Sequence, residues 1–133
     1  PLTKSKLKKK LDKVFSEYVR LRNTDEWGYD NCITCESRKF WKTVDAGHFI
    51  TRAKLSTRFD PRNVFFQCKQ CNLSGGHSYK FGLKLDKMFG QGTAQEIFEK
   101  SEQRGDISTS EYVDLIDEYR KKVNELKAER NME

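Results

Sequence analysis

Leu7, Leu11, Val14, Tyr18 and Leu21 recur at steps of four and three, Phe15 widens their stripe, and most of the positions between them are charged. Such spacing places the apolar residues on one face of an α-helix, so residues 3–22 are expected to form a basic amphipathic helix packed on the core. The pattern then stops. Residues 23–31, NTDEWGYDN, are polar and rich in turn formers, and read as a connection. From Phe40 to Ile50, FWKTVDAGHFI, aromatic and β-branched residues predict a strand with a bulge at Gly47. A basic loop, TRAKLSTRFDPR, ends in an Asp-Pro turn signal, and the run NVFFQ reads as a second strand pairing with the first. Past Gly75-Gly76 a helix is expected over about 78–89, ended by Gly90. Thr93 with Glu96 reads as a capping box for a short helix, and Ser108 with Glu111 as one for a long last helix. In that last helix Tyr112, Ile116, Tyr119, Val123 and Leu126 again step by four and three. The seam fits a partner helix in the same chain or in a second subunit, and its two heptads favour the same chain.

The 133 residues suit one domain rather than two, and 35% hydrophobic content is lean for a core of that size. A cross-link would help. The chain opens Pro1-Leu2 without Met and reads as a piece of something longer. No apolar run approaches the ~20 residues of a membrane span, and no apolar signal core follows the basic start, so a soluble cytoplasmic protein is expected. The net charge of +6 is unevenly spread. Lys and Arg outnumber Asp and Glu by eight to two over residues 1–22 and by eleven to four over 32–90, whereas 91–133 carry seven against eleven. Positive charge on the first segment and the middle suits a polyanionic partner, although a merely solvated basic face reads equally well from charge alone.

All four cysteines fall into two CxxC pairs, Cys32/Cys35 and Cys68/Cys71, with 32 residues between the pairs. Two such turns complete a tetrahedral zinc shell, in the manner of a zinc ribbon or treble clef with a long insert. Two disulfides would need an oxidising compartment, and a redox CxxC would normally occur once; structural zinc is the better-supported reading. Its binding energy would also be folding energy for a lean core.

The chain order is therefore CxxC, a strand with His48, a basic loop, a strand beginning at Asn63, CxxC followed at once by Asn72, then helix. Such an order suits metal-assisted phosphodiester cleavage. A neutral imidazole deprotonates water near pH 7, and a divalent cation on hard oxygens neutralises the phosphate and the leaving oxygen. Mg²⁺ or Mn²⁺ needs few protein ligands, and Asp45 with Asn72 supplies a carboxylate and an amide oxygen.

The quoted pattern CITC, DAGHF, NVFFQCKQCN resembles the HNH endonucleases, a branch of the ββα-metal nucleases. That resemblance, over about residues 32–90, implies an α+β fold: a small zinc-stapled, treble-clef-like ββα-metal core with flanking helices. It implies that His48 is the general base, that Asn63 orients the His strand across the loop, and that Asn72 is a metal ligand. The wording AGHF, QCxxCN, a Gly-rich turn with His77 and Tyr79, then KFG, is most similar to the phage NinG or Rap recombination endonucleases, which cut branched DNA such as Holliday junctions and D-loops. HNH proteins commonly carry an acidic ligand immediately before the catalytic His, where this chain has Gly47. Asp45 lies three residues before His48, on the opposite face of an ideal strand. On this reading only a bulge at Gly47 joins the two; without it Asp45 is structural and His77 is the substitute ligand.

The expected organisation is one domain: a basic helix over 1–22, the zinc-bound nuclease core over 32–90, and C-terminal helices over 91–133 offering a dimer surface. A homodimer suits a junction, which needs two opposed nicks. Arg52, Lys54, Arg58, Arg62 and Lys80 are the expected phosphate contacts, and shape rather than base readout is expected. No membrane or small-molecule partner is implied. Two rivals remain: a non-catalytic zinc module binding nucleic acid through the same surface, and an HNH nuclease acting on linear duplex in restriction, homing or nicking.

Overall fold

The computed structural model describes residues 2–132, so the expectations that reach residues 1 and 133 lie outside it at those two positions. Its elements are α1 (Lys4–Leu21), β1 (Tyr29–Asn31), β2 (Arg38–Phe40), β3 (Val44–His48), α2 (Leu55–Arg58), β4 (Val64–Cys68), α3 (Lys69–Leu73), α4 (Ser78–Phe89), α5 (Thr93–Ser101) and α6 (Thr109–Glu129). The fold is thus α+β, with helices around two small antiparallel sheets, β1-β2 and β3-β4. Among the described residues no helix is long and apolar enough to cross a membrane.

The α1 stripe does what its spacing requires. Leu7, Leu11, Val14, Phe15, Val19 and Leu21 are buried, and they meet Tyr112, Ile116, Tyr119 and Val123 of α6 in one core with Val44, Val64 and Phe66 of the β3-β4 hairpin. The Tyr119 ring stands edge-on to Phe15, centroids 5.0 Å apart. This settles the α6 seam as intramolecular: the surface expected to serve a dimer is covered by α1 of the same chain. A second core joins Ile33 and Phe65 to Phe81, Leu85 and Ile97 of α4 and α5.

Three local expectations are corrected. The predicted strand over 40–50 is broken by a 3₁₀ turn at Trp41–Thr43, which buries Trp41 and hands the chain from β2 to β3. The loop between the hairpin strands contains α2, a single turn whose buried residue is Thr57. At α5 the cap is Gly92 rather than Thr93; the Asp86 carboxylate of α4 accepts from the Ala94 N–H at 2.8 Å, and the Thr93 hydroxyl donates back to the Gly90 carbonyl. The α6 capping box of Ser108 and Glu111 is present in both directions.

Gly47 is not a bulge. The β3-β4 register runs without interruption from Val44↔Cys68 to His48↔Val64, with Gly47 opposite Phe65. Glycine is needed for another reason: a Cβ there would stand 2.1 Å from Oε1 of Gln67, whose fully buried side chain lies across β3. The Gln67 amide donates to the Thr34 hydroxyl and the Gly76 carbonyl, tying the first cysteine turn to the glycine turn after α3.

Candidate metal and phosphodiester site

The four sulfurs converge. Cys32 and Cys35 lie in the turn between β1 and β2, Cys68 ends β4, Cys71 lies in α3, and all four Sγ atoms fall within 4.8 Å of one another. Tetrahedral zinc at 2.3 Å from each thiolate sets the sulfurs about 3.8 Å apart, the separation seen between Cys35 and Cys68. Backbone N–H groups of Cys35, Cys71 and Cys68 point at the sulfurs of Cys32, Cys68 and Cys32 at 3.5, 3.4 and 3.3 Å. Burial raises the Cys32 thiol, yet the Cys35 and Cys68 N–H groups and the Thr34 hydroxyl outweigh it and bring the thiol down to about 6, whereas burial raises Cys68 and pushes Cys71 up to about 12, so those two become thiolates only against a bound cation. The donor set fits a structural metal such as zinc.

Beyond Cys68 the hairpin and α3 frame a cleft of about 550 Å³. Asp12 and Ser16 of α1 form one wall, and Asn72 with Gly75 and Gly76 the other; Asp45, His48 and Arg52 lie between them. Asp45 and His48 do lie on opposite faces of β3, as alternation demands. Both nevertheless line the one cleft. The condition that a bulge must join them therefore fails: the register is uninterrupted and both residues line the cleft without one.

Asn63, with no exposed surface, organises the loop after His48. Its amide oxygen accepts from the Ile50 N–H at 2.8 Å, and its nitrogen donates to the carbonyls of Ile50 and Thr57, both at 3.0 Å. That clamp fixes α2, and α2 fixes His48. The His48 Nε2 lies 3.0 Å from the Arg58 carbonyl, which can only accept, so Nε2 carries the proton and Nδ1 keeps the basic lone pair. Burial lowers the imidazole below its ordinary value; the carbonyl hydrogen bond opposes this, and the Arg52 and Arg58 charges reinforce it. His48 is neutral near pH 7.

Asp45 accepts from Lys69 at 2.7 Å on one oxygen and from the Asn72 amide at 3.0 Å on the other. Burial alone would raise its carboxyl, but these two hydrogen bonds and the Lys69 and Arg20 charges hold it below the usual range. The carboxylate is a hard-oxygen ligand of the kind a divalent cation takes, but both its oxygens are engaged by N–H donors and Asn72 turns its amide nitrogen to it, so holding a cation would require Lys69 to leave and the Asn72 amide to turn its oxygen inward. His77 is not brought to this pair. It is the left-handed residue before α4 (φ 51°) and lines a separate cavity with Cys35, Cys71 and Lys80.

The expected phosphate contacts divide. Arg52 lines the cleft, whereas Lys54 is exposed two residues on and does not line it. Arg58 is consumed internally: its guanidinium grips Asp12 at 3.0 and 2.6 Å and donates to the Arg52 carbonyl at 2.9 Å. Arg62 is drawn toward Asp60 and Glu96, each at 3.9 Å, and Lys80 faces the His77 cavity. Asp12, Ser16 and Lys69 escaped the sequence reading. Asp12, Ser16 and Arg20 step by four along the flank of the apolar stripe, a signal obscured by the lysines around it.

The family model described as Bacteriophage Lambda NinG protein matches residues 2–129. Among curated proteins, Protein ninG of Salmonella phage P22 is 29% identical over 125 residues, covering 92% of this chain and 59% of that protein. The chain thus spans about three-fifths of the length of that relative. No solved structure matches it.

Proposed function

The chain belongs to the NinG family of bacteriophage proteins, and from that premise we propose that its β3-β4-α3 unit is an HNH-type ββα-metal core that hydrolyses DNA phosphodiesters, with branched recombination DNA as substrate. The observation that carries this reading is the cleft itself. It sets a neutral imidazole with a free Nδ1 beside an ionised carboxylate and an amide, under a basic loop.

The residues divide the work by their chemistry. His48 takes the proton of the attacking water at Nδ1, and the Arg58 carbonyl steadies the imidazolium through Nε2–H. Asn63 positions that carbonyl by holding α2. Asp45 and Asn72 would hold Mg²⁺ or Mn²⁺, which supplies charge neutralisation at the scissile phosphate and leaving oxygen. Lys69 now neutralises Asp45 and, being mostly exposed, is free to turn to solvent or phosphate. Arg52 and Lys54 attract the backbone at the cleft mouth.

The deciding experiment is cleavage of a labelled four-way junction and a matched linear duplex in Mg²⁺ or Mn²⁺, by wild type and His48→Ala together. Metal-dependent cutting by wild type, lost in the variant with DNA binding retained, is the expected result. Equal rates on the two substrates would sink the branched preference. Binding by both proteins with cutting by neither would leave a non-catalytic zinc module.

A further inference from the structure

On the flank of α1 away from the cleft, the helix packs against α6, and a groove of about 340 Å³ lies between them. Lys10, Lys13 and Glu17 line it from α1, and Arg120, Asn124 and Lys127 from α6. Its lone carboxylate, Glu17, is engaged by Lys127 at 3.3 Å. Lys10, Lys13 and Arg120 are exposed and form no ion pair among the described residues.

The composition of α6 makes this arrangement informative. The helix carries six carboxylates and four cations, so two helices that merely packed would gain by turning those acids toward the α1 lysines. Instead Lys10 and Lys13 share the groove with Arg120 and Lys127, no carboxylate of α6 lines it, and the one complementary pair across it is Glu17 with Lys127. Like charges set opposite one another destabilise the empty groove and are relieved by a bound anion. Two helical rows of cations facing each other suit an extended polyanion better than a single small ion.

We infer that this groove is a second DNA seat, binding the sugar-phosphate backbone of an arm that crosses α1 from the cleft. That a strand in the cleft belongs to the same DNA rests on the nuclease reading; backbone binding by the groove does not.

The test uses the full chain with Lys10→Gln, Lys13→Gln and Arg120→Gln combined, its fold checked by circular dichroism and melting temperature. The control, Arg104→Gln, Lys121→Gln and Lys122→Gln, removes the same charge from exposed positions that do not line the groove. Affinity for a four-way junction is measured across a salt series. The groove variant should lose roughly 2.7 from the slope of log K against log salt, at about 0.9 per phosphate contact. Its low-salt affinity should fall at least about tenfold, with the control near wild type. An unchanged slope, or an equal loss in the control, would overturn the groove, the first leaving an acidic protein segment as its occupant. Groove-dependent binding without any cutting would sink the nuclease reading and keep the groove; cutting with an unchanged slope would do the opposite; no DNA binding at all would sink both.

Discussion

Protonation of one imidazole links the geometry around His48 to a measurable pH dependence. Because burial and the neighbouring arginines lower its pKa, His48 binds fewer protons folded than unfolded. It therefore contributes stability that is present above the unfolded value and is lost as pH falls through the folded one. On the proposed nuclease reading the same direction governs activity. A general base works only when neutral, so the acid limb of the kcat/KM profile should have its midpoint below the ordinary 6.5, read from single-turnover cleavage across pH. A midpoint above 6.5 would mean that another group controls the limb, or that the Asp12 carboxylate outweighs burial. Asp12 matters here although, among the lysines around it, nothing in the sequence singles it out. Its grip on Arg58 ties α1 to the carbonyl that sets the His48 tautomer, so the first helix belongs to the site as well as to the core.

At the scale of elements, the hairpin depends on a glycine whose purpose is spatial. Gly47→Ala would drive a methyl group into the Gln67 amide, which is itself bound to Thr34 and Gly76. Overpacking of this kind costs about 1–3 kcal/mol, and a thermal melt should show a drop of several degrees. A melt within a degree of wild type would show that Gln67 has room to move. The example also shows what the sequence could and could not reveal. The apolar steps of α1 and α6 and the two CxxC turns were legible, because helical periodicity and metal-ligand spacing are local patterns. The 3₁₀ turn at Trp41 was not, since aromatic and β-branched residues there satisfy strand propensity and the break is imposed by burying the indole. Nor was the sharing of one cleft by Asp45 and His48, which depends on α1 and α3 packing around β3 rather than on any residue in the strand. His77 and Arg58 looked like site residues by type and neighbourhood; a left-handed turn carries the first away, and Asp12 consumes the second.

For the whole molecule, the question is which half of the fold the cysteine cluster holds. The α1-α6-hairpin core is apolar and involves none of the four thiolates, whereas Cys68 and Cys71 set the end of β4 and the start of α3, from which Asn72 reaches Asp45. Metal binding energy is folding energy for the part it organises. Stripping the metal with a strong chelator should therefore act unevenly. Without the cation the buried Cys68 and Cys71 thiols take up protons and nothing ties the two cysteine turns together, so the β1-β2 turn and α3 should loosen while α1 and α6 stay paired. Hydrogen exchange would then show protection lost over Cys32–Cys35 and Cys68–Asn72 first, with amides of Leu11 to Val19 retained. If the proposed nuclease reading holds, DNA cleavage should vanish at that stage, before global unfolding, and return with added zinc. Simultaneous loss of protection in both helices would instead make the cluster the keystone of the entire fold, and retained protection around Cys68 would mean that the thiols hold their places without a metal.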